Sequence, residues 1–206
     1  SSLAGVVAGA HEAGAEAVGM RFGIQGFLDG RTVALDEALP DADALELLRH
    51  TPSSWLGSCR FKLPALDAEG ADEFYQKAFA AFADGGFDAV LYVGGNDSMD
   101  TIAKLGAYGA RIDSPIRFIG VPKTIDNDLV GIDHTPGYGS AARLVATAVS
   151  EVSRDADVYD LKSVTFVEIM GRDAGWLAGS ACLANPDLVL LPEVTLDEGT
   201  LVARIA

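Results

Sequence analysis

The sequence has few of the residues that mark a secreted, membrane-bound or redox-active protein. Only two cysteines, Cys59 and Cys182, occur in 206 residues, and their wide separation matches no metal-binding or disulfide pattern. A reduced, cytoplasmic compartment is therefore expected. No apolar run reaches the roughly 18 residues that a membrane helix needs. No basic stretch precedes an apolar one at the start of the chain, so we predict neither a membrane partner nor a signal peptide.

Basic residues are also scarce. Lys and Arg total 15 against 30 Asp and Glu, which gives a formal net charge of -15. Because a nucleic-acid-binding surface needs clustered Lys and Arg, this balance argues against a nucleic-acid partner. Hydrophobic residues make up 49% of the chain, which is enough for the core of one large domain or two small domains.

Helix and strand patterns alternate along most of the chain. Helices are predicted at 1–14, 40–49, 71–83, 99–108, 140–153 and 176–184, and strands at 87–93, 116–121, 163–169 and 187–191. The glycine-rich stretch at 23–30 reads as a loop. This alternation is typical of an α/β fold with a mostly parallel sheet. The polar linker at 133–139 is the best candidate for a domain boundary.

A pair of glycines follows the predicted strand at 87–93. Gly94 and Gly95 lead into a helix that is predicted to begin at Met99, with Ser98 as its cap. A strand, two glycines and a helix form an arrangement that binds phosphate, because the helix N-terminus offers free N–H groups. A tight strand-to-helix turn without a ligand is the alternative interpretation.

A polar turn follows the next strand, at 116–121. It contains Lys123, Thr124 and two carboxylates, Asp126 and Asp128. Since parallel strands deliver their carboxyl ends to the crevice where ligands bind, these carboxylates could hold a metal or accept a proton. The lysine could bind a phosphate. An acidic turn with no further role remains the alternative.

Three motifs in this order resemble the phosphofructokinase family. They are Gly-Gly-Asn-Asp-Ser at 94–98, Pro-Lys-Thr-Ile-Asp-Asn-Asp at 122–128 and Glu-Ile-Met-Gly-Arg at 168–172. The Gly-Ser-Cys-Arg sequence that ends at Arg60 is similar to an earlier loop of that family. The resemblance implies two α/β domains with mostly parallel sheets and helices on both faces. It also implies a fragment that lacks the family's N-terminal strand and loop and its C-terminal part.

The resemblance implies a phosphotransferase of glycolysis that acts on the 1-hydroxyl of fructose 6-phosphate with Mg²⁺. Residues 1–134 would bind the donor and 135–206 would begin the sugar-phosphate domain of a homo-oligomer, a dimer or a tetramer. Asp126 would accept the hydroxyl proton, aided by Lys123 and Asp97. The remaining implied roles are acceptor binding by Thr124, Ile125, Asp126, Met170, Gly171 and Arg172, donor binding by Arg60, Gly94, Gly95, Ser98 and Lys123, and metal binding by Asn96 and Asp128.

Asp97 and Lys123 favour inorganic pyrophosphate over ATP as the donor. ATP-using relatives usually carry glycine at the first position, which leaves room for the rest of the nucleotide. An aspartate fills that room, and its charge repels phosphate by about 4 kcal/mol at ~4 Å and an effective dielectric of 20. An ATP-dependent kinase remains an alternative. So does a non-catalytic regulatory subunit, because Asn96 stands where the family usually has an acidic metal ligand. Sedoheptulose 7-phosphate also remains open as an acceptor.

Overall fold

The computed structural model of the chain describes residues 1–51 and 53–205. Two compact units are present, Ser1–Pro122 and Lys123–Ala206. The division falls before the predicted boundary at 134, because the acidic turn forms its hydrogen bonds with the segment that follows it. Thr124 forms a parallel bridge with Gly137. Residues 123–134 therefore belong to the second unit.

The first unit combines helices with two small sheets. Its elements are α1 (Ser2–Glu12), β1 (Val18–Met20), α2 (Gly23–Leu28), β2 (Thr32–Ala34), α3 (Leu35–Ala38), α4 (Ala42–His50), α5 (Ala71–Asp84), β3 (Ala89–Gly94), α6 (Asn96–Arg111) and β4 (Arg117–Pro122). Strands β1 and β2 pair antiparallel. Strands β3 and β4 pair parallel, so the predicted strand-helix-strand order around α6 is confirmed.

An aromatic core fills the first unit between α5, α6 and the parallel strands. The helix predicted at 71–83 is confirmed as α5, and Ala78, Phe79 and Phe82 on one of its faces are buried. Phe82 stacks on Phe27 of α2 with ring centroids 4.9 Å apart. Rings of this size bury the largest apolar areas available to a side chain, so they dominate the energetics of the core.

The predicted loop at 23–30 is wrong, because residues 23–28 form α2. Ile24 and Phe27 are one helical turn apart, and both are buried in the aromatic core. Their burial outweighs the low helix propensity of the neighbouring glycines. Gly26 is required there, because a Cβ at this position would overlap the carbonyl oxygen of Arg21.

In the described residues of the second unit, the regular secondary structure consists of helices separated by long irregular segments. It contains α7 (Tyr138–Ala156), α8 (Trp176–Gly179), a 3₁₀ helix (Ser180–Ala184) and α9 (Glu198–Ile205). The predicted strands at 163–169 and 187–191 are wrong, since neither segment pairs with a strand in the described part of the chain. Phe166 is 76% exposed. A buried parallel strand pairs its backbone groups with a neighbouring strand, and these segments have no such partner among the described residues.

None of the helices in the described ranges has both the length and the apolar composition needed to cross a bilayer.

Candidate functional site

The predicted strand-glycine-helix arrangement is present at the end of β3. Gly94 ends β3, and Gly95 precedes the first residue of α6 with extended backbone angles of φ -84° and ψ -160°. Gly94 is in register with Pro122, the last residue of β4. The carboxyl ends of the two parallel strands therefore lie side by side, and α6 begins at this edge.

Helix α6 begins earlier than predicted, at Asn96 rather than at Met99. Asn96, Asp97 and Ser98 therefore form its first turn. The predicted cap by Ser98 is wrong, because no side chain caps this helix. The negative Asp97 carboxylate suits the positive end of the helix dipole.

Gly94 is needed by the chain itself. A Cβ at this position would overlap the Oγ and Cβ atoms of Ser98. The group that approaches Gly94 closely is thus the Ser98 side chain. The absence of a side chain at position 94 allows the first turn of α6 to pack directly against the end of β3.

An ion pair joins this turn to the segment that carries Arg60. The Nζ atom of Lys62 lies 3.2 Å from the Oδ1 atom of Asp97, and both side chains are more than 70% exposed, at 75% and 79%. Arg60 is also exposed. Sequence reasoning missed Lys62, because a single lysine outside a motif carries no signal that identifies its partner.

The acidic turn after β4 is held by hydrogen bonds within the second unit. The Oγ1 atom of Thr124 accepts from the backbone N–H of Asp126 at 3.1 Å. The carbonyl oxygen of Thr124 accepts from the Thr135 hydroxyl at 2.6 Å. These bonds fix the backbone around Ile125 and Asp126.

Asn127 is the buried centre of this turn. Its Oδ1 atom accepts from the backbone N–H of Thr135 at 2.9 Å, and its Nδ2 donates to the carbonyl oxygen of Asp133 at 3.0 Å. Its φ of 58° lies in the left-handed region, which asparagine tolerates better than most residues. Asn127 had no predicted role of its own. The sequence did contain a signal for such a turn, namely an asparagine between two aspartates.

Asp126 has one buried carboxylate oxygen, Oδ1, that accepts no hydrogen bond from the described residues. Leaving a buried acceptor unsatisfied costs about 1–3 kcal/mol, and more when the group is charged. Such an atom is expected where a group is reserved for a reaction rather than for the fold. Lys123 and Asp128, on either side of it, are exposed.

A cleft of about 420 Å³ in the second unit contains Asp128. The carboxylates of Asp133, Asp173 and Glu193 also line it. The Oε1 atom of Glu193 accepts from the backbone N–H of Gly175 at 2.7 Å. The turn after β4 and the segment that follows the third motif therefore border the same cleft.

The third motif lies in an irregular segment at the edge of this cleft. Arg172 is 92% exposed, and its Nε donates to the Asp173 carboxylate at 3.1 Å. Gly171 has a φ of 114°, and a Cβ there would overlap the carbonyl oxygen of Ala174. Met170 is 67% exposed. Gly171 is thus required by the backbone, while its two neighbours present exposed side chains.

No group of three or more His, Cys, Asp or Glu in the described ranges could hold a metal ion by itself. The two predicted ligands, Asn96 and Asp128, are exposed oxygen donors in different units. Oxygen donors of this kind fit Mg²⁺, which is often bound by one or two protein groups together with substrate phosphates and water. Each of the two residues by itself is therefore a suitable ligand for Mg²⁺.

A family model described as Phosphofructokinase matches residues 1–206. A curated relative from Xanthomonas campestris pv. campestris (strain B100) is 38% identical over 213 residues, which cover 100% of this chain and 50% of the relative. It is named pyrophosphate–fructose 6-phosphate 1-phosphotransferase. A relative from Propionibacterium freudenreichii subsp. shermanii, named ATP-dependent 6-phosphofructokinase, is 30% identical over 195 residues, which cover 94% of this chain and 49% of that relative.

A solved structure confirms the predicted α/β class. The crystal structure of a pyrophosphate-dependent phosphofructokinase from Marinobacter aquaeolei matches with a TM-score of 0.81 and 32% identity. The match covers 98% of this chain and 52% of that structure. The chain thus spans about half the length of the curated relatives it matches.

Proposed function

The chain belongs to the phosphofructokinase family. We propose that it is part of a phosphotransferase whose donor is inorganic pyrophosphate and whose acceptor is the 1-hydroxyl of fructose 6-phosphate. The products are fructose 1,6-bisphosphate and inorganic phosphate. The observation that carries the choice of donor is the side chain at position 97. Asp97 occupies the first turn of α6, directly after Gly94 and Gly95.

Asp97 limits the room for a nucleotide beside this turn. A glycine there would leave space for the α-phosphate and ribose of ATP, whereas a carboxylate fills it. Pyrophosphate has no group that needs this space. Gly95, Ser98 and the exposed side chains of Arg60 and Lys123 supply the donor-binding groups in this proposal, since compact polyphosphates are held by backbone N–H groups and cations.

Asp126 is the proposed general base. Its carboxylate accepts the proton of the 1-hydroxyl as that oxygen bonds to the transferred phosphorus, and the phosphorus–oxygen bond to the departing phosphate breaks. The buried Oδ1 atom without a hydrogen-bond donor supports this role. Thr124 and Ile125 position Asp126, while Met170, Gly171 and Arg172 bind the sugar phosphate. Arg172 offers a planar guanidinium suited to a phosphate.

Asn96 and Asp128 are the proposed protein ligands for Mg²⁺. When bound, the metal would neutralise charge on the transferring phosphoryl group. Asn96 contributes an uncharged oxygen. The charges of the metal and of the phosphates are therefore balanced to a greater extent by Asp128 and by the basic side chains. The residues of the chain then act by positioning the donor and the acceptor rather than by forming a covalent intermediate.

An ATP-dependent kinase is the second candidate, since a relative with that name is 30% identical to the chain. The first proposal, a pyrophosphate-dependent enzyme, also includes a homo-oligomer located in the cytoplasm. Fructose 6-phosphate is the proposed acceptor, and sedoheptulose 7-phosphate is the competing sugar phosphate.

A coupled assay for fructose 1,6-bisphosphate tests the proposal on the full-length protein. The reaction is run with pyrophosphate or with ATP, at several concentrations of Mg²⁺. The proposal predicts turnover with pyrophosphate that requires Mg²⁺. Turnover with ATP alone would support the second candidate, and turnover with neither donor would favour a non-catalytic subunit.

A further inference from the structure

The carboxylate of Asp97, which is proposed to exclude ATP, does not present a free negative charge. Its Oδ1 atom lies 3.2 Å from the Nζ atom of Lys62. We infer that Lys62 is a positioning residue for the donor and sets the charge and the orientation of the Asp97 carboxylate. This inference rests on the proposed function, because it assigns pyrophosphate to the turn that begins α6.

The backbone that carries Lys62 is held in place. Leu63 is only 3% exposed, and its carbonyl oxygen accepts from the Nζ atom of Lys104 at 3.2 Å. The next carbonyl oxygen, that of Pro64, accepts from the Tyr75 hydroxyl at 2.8 Å. Lys104 also pairs with Asp100 of its own helix at 2.7 Å. The segment after Arg60 is therefore fastened to α5 and α6, which limits the positions that the Lys62 side chain can reach.

The backbone at Asp97 is equally well defined. Asp97 lies in the first turn of a 16-residue helix. Its carbonyl oxygen accepts from the Oγ1 atom of Thr101 at 3.0 Å. Both partners of the ion pair thus project from fixed backbone, so that less conformational entropy is lost when they meet. An exposed pair of this kind contributes little to the stability of the fold, so its effect is expected in donor binding rather than in the free energy of unfolding.

The pairing resolves a conflict in the donor argument. An unpaired Asp97 would repel pyrophosphate as well as ATP, since both are polyanions. Lys62 offsets that charge but leaves the volume of the carboxylate in place. Asp97 therefore excludes a nucleotide by its size. Lys62 lowers the electrostatic repulsion between this turn and the smaller anion, pyrophosphate. The two residues act as a unit.

Arg60 connects this pair to the rest of the proposed donor site. It precedes Lys62 by two positions in the same fastened segment. Phe61, between Arg60 and Lys62, packs against Phe74 of α5 with ring centroids 5.7 Å apart. Loss of the Lys62 charge is therefore expected to weaken donor binding much more than it slows the chemical step.

The test compares Lys62→Met with the unmodified full-length protein in steady-state assays that vary pyrophosphate and fructose 6-phosphate separately. The KM for pyrophosphate should rise about three- to tenfold, as expected for an uncompensated charge near a polyanion. The kcat and the KM for fructose 6-phosphate should change by less than about twofold, by the same reasoning. Lys62→Arg should restore most of the affinity. Lys77→Met, on the exposed face of α5, is the matched control and should leave all three constants unchanged.

A double-mutant cycle completes the test. If the residues act as a unit, adding Lys62→Met to Asp97→Gly should cause no further rise in the KM for pyrophosphate. An unchanged KM in Lys62→Met would overturn the inference, and so would equal losses for both substrates together with a lower melting temperature. If the unmodified protein does not use pyrophosphate, it is the proposed function that fails, before any variant is compared.

Discussion

The backbone N–H of Thr135 donates to the Oδ1 atom of Asn127 at 2.9 Å, and this bond closes the turn that contains Asp126. Asn127 is 7% exposed and Thr135 is 3% exposed. A buried amide that satisfies two backbone partners, in a left-handed conformation, is difficult to replace with another residue. The position of the proposed base is therefore set by the residue that follows it.

Asn127→Ala should destabilise the protein by about 2–4 kcal/mol. The variant leaves the buried Thr135 N–H and the Asp133 carbonyl unsatisfied, and it adds the cost of a left-handed alanine. Chemical denaturation of both proteins measures the difference. Asn185→Ala is the matched control, because exposed Asn185 has a similar φ of 53°. Equal losses in the two variants would show that backbone conformation alone, and not the hydrogen bonds, holds the turn.

Asp126→Asn should abolish most activity without weakening the fold. A positioned general base contributes about 10²–10⁴-fold, so kcat should fall by that factor. Because Oδ1 is buried and without a donor, removing the charge should leave the free energy of unfolding unchanged or raise it. Asp155→Asn, on the exposed face of α7, provides the control. Activity within a few-fold of the unmodified protein would remove Asp126 from the mechanism.

Gly94→Ala should destabilise the junction of β3 and α6 by about 1–3 kcal/mol, as overpacking usually does. The added methyl group would overlap the side chain of Ser98. Thermal unfolding of Gly94→Ala, Ser98→Gly and the double variant measures the coupling. The double variant should be more stable than the sum of the two single losses predicts. Additive losses would mean that the Ser98 side chain is not the reason why position 94 requires glycine.

The contribution of Tyr75 to stability should decrease in alkaline solution. Burial raises the pKa of Tyr75 above its usual value of 10.0, and the charge of Asp100 adds to this effect. Below about pH 10 the hydroxyl is neutral in both states, and its bond to Pro64 contributes about 1 kcal/mol. Above that pH the unfolded chain ionises first, so the folded state loses stability as the pH rises.

Denaturation of the unmodified protein and of Tyr75→Phe from pH 7 to 11 measures this contribution. The difference in unfolding free energy should be constant up to about pH 10 and then shrink. Tyr159→Phe, at a 66% exposed position, is the control for the loss of a tyrosine hydroxyl from the surface. A constant difference over the whole range would contradict a raised pKa at Tyr75.

The sequence predicted the parts of the fold that depend on local pattern. The pattern at 71–83 predicted α5, and the apolar run before Gly94 predicted β3. The pattern failed where contacts distant in the chain decide the structure. The glycines at 23–30 suggested a loop, whereas the burial of Ile24 and Phe27 stabilises a helix there. The apolar runs at 163–169 and 187–191 have no strand partner in the described residues, so their composition alone was misleading.

The same limit applies to the candidate site. Motifs located Asp97 and Asp126, because those residues lie in patterns typical of the family. Lys62 and Asn127 were missed, since their roles come from partners that only the fold brings near. Asn127 contacts a residue eight positions later, and Lys62 contacts the first turn of α6.

The ratio of kcat/KM for pyrophosphate to kcat/KM for ATP, measured before and after Asp97→Gly, tests the central claim most directly. The account predicts that the unmodified protein strongly prefers pyrophosphate. It predicts that the glycine variant gains use of ATP, with a shift in the ratio of about tenfold or more, equal to roughly 1.4 kcal/mol or more. An unmodified protein that prefers ATP, with a ratio that Asp97→Gly leaves unchanged, would contradict it.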